Sequence, residues 1–143
     1  MAAFTRIDHV GIAVADLDAA VVAYERLTGT PPAHRQTVES DGIEAVMFEV
    51  GESRIELLGS TGPESKIAGF LARRGSGLHH VAYGVDDVQA SLDHFAALGL
   101  QLLDTCPRQG AASRLVAFLH PSAGAGVLTE LCQADEERAG LHV

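Results

Sequence analysis

The sequence has no tryptophan, two cysteines and a single lysine. It also has no apolar run near the roughly 18 residues that a membrane span needs. Each shortage excludes something. Apart from Lys66, the basic residues are nine arginines scattered along the chain, and nineteen acids bring the net charge to −9. No basic cluster is available to neutralise a phosphate backbone or an anionic bilayer, so neither nucleic acid nor membrane is an expected partner. Cys106 and Cys132 form no CxxC, which removes a zinc ribbon, a dithiol redox motif and a disulfide framework. The opening Met1-Ala2-Ala3-Phe4-Thr5-Arg6 lacks the apolar core of a signal peptide, and a cytoplasmic location is expected.

What is present fits one folded domain. The 143 residues are 47% hydrophobic, enough apolar surface to offset ordering entropy and exclude a disordered chain. Fifteen glycines without a triplet period exclude collagen and mark turns.

The chain reads twice. At an offset of 71, residues 9–27 and 80–98 match at six of nineteen positions: His9/His80, Val10/Val81, Val14/Val85, Asp16/Asp87, Ala19/Ala90 and Leu27/Leu98. Average residue usage gives about one match by chance. Each copy opens with an alternating, β-branched run, Ile7 to Val14 and Leu78 to Val85, expected as a strand. Asp16 and Asp87 then stand where a helix N-cap belongs. Leu17, Val21, Tyr24 and Leu27 follow at helical spacing, as do Val88, Leu92, Phe95 and Leu98, with Gly29 and Gly99 as stops. Three strand-like runs come next in each half: 32–39, 44–50 and 54–58 in the first, 101–106, 113–119 and 126–132 in the second.

The expected fold is therefore α+β, two tandem βαβββ modules forming a curved mixed sheet. A first module (about 5–60), a connecting helix (about 63–75) and a second module (about 77–134) would make a single domain over residues 1–143. The charged, aperiodic stretch from Ala134 to Val143 is expected to be a frayed tail.

The repeat also duplicates residues that carry chemistry. His9 and His80 occupy the first strand of each module, and Glu56 and Glu130 the last, at offsets of 71 and 74. A single strand histidine is ordinarily a packing residue, and a single strand glutamate is ordinarily solvated. A carboxylate between apolar neighbours is costly unless exposed, paired or metal-bound, and here the coincidence is fourfold. Two imidazoles and two carboxylates suit a divalent metal with open positions, without distinguishing Co, Mn, Zn, Ni or Mg.

At these residues the chain resembles the vicinal oxygen chelate superfamily and, within it, the methylmalonyl-CoA epimerases. The stretches that carry the resemblance are Ile7-Asp8-His9-Val10-Gly11-Ile12-Ala13-Val14, Ile55-Glu56-Leu57-Leu58, Ser65 to Leu71, Gly77 to Ala82, Phe118-Leu119-His120-Pro121 and Gly126 to Leu131. The resemblance implies that His9, His80 and Glu130 hold the metal, with Glu56 at the fourth protein position. It selects His80 over His79, which then has a supporting role. It also implies an acyl-CoA substrate, a homodimer, and interconversion of (R)- and (S)-methylmalonyl-CoA through C2 proton abstraction and a metal-stabilised enolate. Other chemistries of the superfamily, such as a glyoxalase-type lyase, and a non-catalytic binding or resistance protein are the alternatives.

Epimerisation needs two proton transfers at C2. The resemblance makes Glu130 one proton carrier as well as a ligand. Some relatives place a second glutamate three residues after the glycine matching Gly42, where this chain has Ala45; Glu44, re-aimed by a bulge, is expected to serve instead, with Glu49 on the Ala45 parity as the alternative. A second departure is Ser122, where lysine usually follows His-Pro in the family. Arg73, Arg74, Arg108 and Arg114 are the candidate cations for the coenzyme A phosphates. The small-residue loop Gly110-Ala111-Ala112-Ser113 is a candidate acyl entry, and Cys132 is expected on the Glu130 face as a small buried residue.

Overall fold

The computed structural model describes residues 4–133, which divide into two compact units: residues 9–79, and residues 80–133 together with the N-terminal segment 4–8. The division falls inside the first strand, β1 (Arg6–Ala13).

In the first unit β1 leads into α1 (Leu17–Thr28), followed by β2 (His34–Val38), β3 (Ile43–Val50), β4 (Ser53–Ser60) and α2 (Ala68–Arg74). α1 starts where the Asp16 carboxylate accepts the Ala19 N–H at 3.1 Å, satisfying a donor the helix cannot pair itself. It stops at Gly29, whose left-handed φ of 72° lets its N–H reach the Glu25 carbonyl. The sheet runs β2-β3-β4-β1, antiparallel except for the parallel β1/β4 pair. α1 packs Val21, Leu17 and Tyr24 over one face, against Val14, Val46, Phe48 and Leu57. The approach is close: a Cβ on Gly59 would lie 3.0 Å from the Leu17 Cβ, so a larger residue there would require Leu17 to give way.

The connecting helix is shorter than its apolar spacing suggests. Residues 63–67 form turns instead, because the Lys66 N–H goes to the Asp41 carbonyl at 2.9 Å and so leaves the helical pattern. Ile67 is buried at the helix entrance and joins Ala13, Ala45 and Leu58, with Phe70 and Leu71 packed beside them. That cluster covers one end of the face opposite α1.

The second unit repeats the pattern with β5 (Gly77–Val85), α3 (Val88–Ala97), β6 (Arg108–Gln109), β7 (Leu115–Leu119) and β8 (Thr129–Gln133). Asp87 caps α3 through the Ala90 N–H at 3.0 Å, as Asp16 caps α1. The strand order is β5-β8-β7-β6, with β5/β8 parallel, and α3 covers Val85, Ala117, Leu119 and Leu131 through Val88 and Leu92. In the N-terminal segment, Phe4 stacks on Tyr83 with ring centroids 4.2 Å apart, and the Thr5 N–H donates to the Gly84 carbonyl.

One expected strand is absent. Residues 101–106 make only an isolated bridge, Leu102 to Leu119, and the edge strand is the two-residue β6. Leu103 and Asp104 both donate their N–H to the Phe118 carbonyl, while the Asp104 carboxylate accepts the Phe118 N–H at 2.8 Å. A side chain thus takes the place of a ladder carbonyl, and Pro107, which has no N–H, precedes the first residue that pairs again. Among the described residues, no helix is long and apolar enough to cross a membrane. The expected tail from Ala134 to Val143 lies outside the described residues.

Candidate functional site

Residues in register on adjacent strands share a face. On the face of the first unit opposite α1, that rule arranges side chains of β3, β4 and β1 in three rows. The first row is Glu49, Arg54 and His9; the second is Met47, Glu56 and Gly11; the third is Ala45, Leu58 and Ala13. The third row lies under the apolar cluster at the start of α2. The first two rows hold the polar groups. His9 and Glu56 are both buried, with His9 Nε2 3.7 Å from Glu56 Oε1. Gly11, which is the register partner of Glu56, adds no side chain beside it. Arg54 is 7% exposed, and its Nε lies 3.4 Å from Glu49 Oε1.

The second unit has its own pair on the face opposite α3. His80 and Glu130 are buried there, with Nε2 3.4 Å from Oε2. Ala82, Glu130 and Phe118 form one row, and Gly84, Cys132 and Val116 the next. The His80 ring meets Phe118 edge-on at 5.7 Å, and the Arg108 guanidinium lies 5.4 Å from the centroid of the same ring. Cys132 is buried, on the Glu130 face as its spacing suggests. Each unit thus carries one buried histidine–glutamate pair, built from its first and last strands.

Glu44 is the expected site residue that does not share this face, which corrects its assignment as a proton carrier. β3 runs in unbroken register from Ile43 to Val50, so no bulge re-aims the side chain. Glu44 is opposite Gly59, the position closed by Leu17, and therefore lies on the α1 side. There Arg35 donates to Glu44 Oε2 at 2.8 Å and to Asp18 of α1 at 3.3 Å. The Arg35 hydrogen bond holds the Glu44 carboxyl below its ordinary range against the desolvation that opposes it, and a smaller coulombic attraction to Arg35 adds to the lowering. The same bond raises Arg35.

The arginines also sort themselves. Arg114 is not available to a phosphate: it is buried in a two-pronged pair with Asp8, at 2.7 and 2.8 Å. Arg108 lies over Phe118 with Asp104 3.6 Å from its Nε. Arg73 and Arg74 end α2 exposed, Arg74 above the Phe70 ring. His79 packs edge-on against Phe70 at 5.0 Å, a supporting contact. In the Gly110–Ser113 loop, Ala112 takes a left-handed φ of 59°, uncommon for a residue with a Cβ. Arg54 was absent from the expected cations, although alternation with Glu56 two residues on already placed it on the same face.

A sequence profile of the glyoxalase/bleomycin resistance protein/dioxygenase superfamily matches residues 8–118. The chain is 37% identical over 130 residues to the ethylmalonyl-CoA/methylmalonyl-CoA epimerase of Cereibacter sphaeroides, covering 90% of this chain and 97% of that one. It is 35% identical over 130 residues to the human mitochondrial methylmalonyl-CoA epimerase, covering 90% and 74%. Among solved structures, a methylmalonyl-CoA epimerase in complex with methylmalonyl-CoA and an ammonium ion superposes with a TM-score of 0.88 at 37% identity, covering 92% of this chain and 96% of that one.

Proposed function

The chain belongs to the glyoxalase/bleomycin resistance protein/dioxygenase superfamily, and we propose that it is an epimerase of methylmalonyl-CoA or a close 2-alkylmalonyl-CoA. The observation that carries this reading is the duplicated buried pair, His9 with Glu56 and His80 with Glu130, in a chain so similar to epimerases along its length.

The donor set fits a divalent cation. Charge-assisted hydrogen bonds between nitrogen and carboxylate settle near about 2.8 Å. Two ligands each about 2.1 Å from one ion, at tetrahedral or right angles, stand about 3.0–3.4 Å apart. The two pairs, at 3.7 and 3.4 Å, are closer to the second spacing than to the first. His9, Glu56, His80 and Glu130 are the four residues that would hold the ion. When bound, it supplies Lewis acidity toward the oxygens of a malonyl thioester, which lowers the cost of negative charge as C2 loses its proton. The protein's residues do the rest. The Glu130 carboxylate takes up or returns a proton at C2, and the apolar Phe118 beside it keeps water from the carbanion. Arg73 and Arg74 offer exposed positive charge to the coenzyme A phosphates on an otherwise acidic chain. A homodimer is the expected assembly, to be read by sedimentation.

The experiment is deuterium exchange. Metal-loaded protein is incubated with methylmalonyl-CoA in D2O and the C2 proton is followed by NMR, with metal content measured on the same sample. Exchange at C2 is expected, and it should disappear with a chelator and in His9→Ala and Glu130→Ala, both of which lose the metal. Absence of exchange in protein shown to hold metal would refute the reading; a thiol lyase of the same superfamily would give that result.

A further inference from the structure

Inverting C2 requires a proton taken from one side of the carbon and another delivered to the other side. On the preceding reading Glu130 accounts for one, so a second group is needed. We propose that it is Glu49, held in place by Arg54; this rests on the epimerase assignment.

The argument is geometric and lies within the first unit. The second group must share the face of His9 and Glu56. Glu44 does not, since it faces α1 across from Gly59. Ala45 shares the face but has nothing to give, and it is buried with Ile67, Leu58 and Ala13. Among the described strand residues of this unit, the remaining carboxylate on the face is Glu49, in the row that also contains His9. Glu49 and Ala45 are each two residues from Met47, the partner of Glu56, in opposite directions along β3. One end of the face is therefore closed by apolar packing, and the other is polar and half-exposed, with the Glu49 side chain at 50% exposure. A charged thioester reaches the second end at lower cost.

Arg54 is the positioning residue. Its guanidinium is buried, lies beside Glu49 and comes from the same strand as Glu56. It keeps the flexible glutamate side chain aimed along the row. In the forward direction, the Glu49 carboxylate forms an O–H bond with the C2 proton. The C–H electron pair passes into the thioester carbonyl to give the enolate, and protonated Glu130 then makes the new C–H bond from the other side. For the opposite enantiomer the two carboxyls exchange roles; after a forward turnover Glu49 returns its proton to water and Glu130 takes one up from water, which restores the starting state.

The test uses wild type, Glu49→Gln, Glu49→Asp and Arg54→Lys, each loaded with metal and given one enantiomer of methylmalonyl-CoA at a time in D2O. Inversion and C2 deuteration are measured separately. Glu49→Gln should invert at least about 100-fold more slowly in both directions, since a positioned acid or base is ordinarily worth that much. It should still deuterate one enantiomer without inverting it, because Glu130 is intact, and it should keep wild-type metal content and melting temperature. Glu49→Asp should recover part of the rate. Arg54→Lys keeps the charge but loses the planar fork, and should lower kcat about tenfold with KM within twofold. Inversion by Glu49→Gln at the wild-type rate overturns the proposal alone, leaving the epimerase assignment standing. Equal loss of exchange with both enantiomers also overturns it, because the residue would then act on the site as a whole. No exchange in the wild type removes the epimerase assignment and this proposal together.

Discussion

Breaking the Asp8–Arg114 pair should cost the second unit more stability than any surface change. Arg114 donates from Nη1 to Asp8 Oδ2 at 2.7 Å and from Nη2 to Asp8 Oδ1 at 2.8 Å, and it also reaches the Gln133 carbonyl at 2.9 Å. Asp8 is 0% exposed, and Arg6 adds a third contact at 3.1 Å. Asp8→Ala leaves a buried guanidinium whose main counter-charge is gone, which costs about 3–5 kcal/mol. At about 2–4 °C per kcal/mol for a chain near this size, the melting temperature should fall by roughly 6–20 °C. Arg114→Met should fall at the low end of that range, because Arg6 still faces the stranded carboxylate. The double variant Asp8→Leu/Arg114→Met should lose less than the two singles together, since no charge is left buried without a counter-charge. The assay is urea unfolding and calorimetry after chelator treatment, which removes any contribution from bound metal. A drop below about 3 °C in Asp8→Ala would refute the reasoning. So would strictly additive losses in the double variant.

Four other outcomes are expected. Asp16→Ala and Asp87→Ala should each lose about 1 kcal/mol in urea unfolding, and the asparagine variants should lose much less, because either side chain accepts the capping N–H. Glu44→Gln should leave C2 exchange within about threefold of wild type, below the effect expected from losing a proton carrier. The Arg35 bond lowers the Glu44 pKa, so the stability that ionised Glu44 contributes is present at neutral pH and lost as pH falls through the depressed value. The difference between wild type and Glu44→Gln in melting temperature should therefore shrink toward acid; a difference that grew there would contradict the pairing. Saturating divalent metal, at about 100 times its dissociation constant, should raise wild-type stability by about 2.7 kcal/mol, and His80→Ala should abolish that shift.

Periodicity and local hydrogen bonding made much of this molecule legible from residues alone. The two aspartate caps and the glycine stop after α1 depend on side chains a few residues apart, and the strand positions of the two histidines and two glutamates are readable from the repeat and from strand alternation. What escaped depends on partners distant in sequence. The strand expected over 101–106 fails because Asp104 takes up the Phe118 N–H fourteen residues on. The long reading of α2 fails because the Lys66 N–H pairs with Asp41. Arg114 looks like any scattered arginine until Asp8, 106 residues away, takes both prongs of its fork. Alternation told that Glu44 and Ala45 face opposite ways, but only the packing of Leu17 onto Gly59 told which way is α1.

The two pairs are alike, and their surroundings are not. At the offset that relates Glu56 to Glu130, Arg54 corresponds to Leu128. Two residues beyond the register partners Met47 and Phe118 stand Glu49 and His120. The duplication has thus kept the four donors and changed the row beside them, so the charged pair Arg54–Glu49 belongs to the first module only. A substrate with a thioester at one end and a carboxylate at the other has no two-fold symmetry. Surroundings with two equivalent charged rows would accept it either way round at equal cost, and each orientation would turn its single C2 hydrogen to a different side. On the proposed assignment, one charged row would remove that degeneracy by favouring one orientation. On that assignment the two enantiomers direct their C2 hydrogens to opposite sides of a substrate held one way, and so would call on different proton carriers.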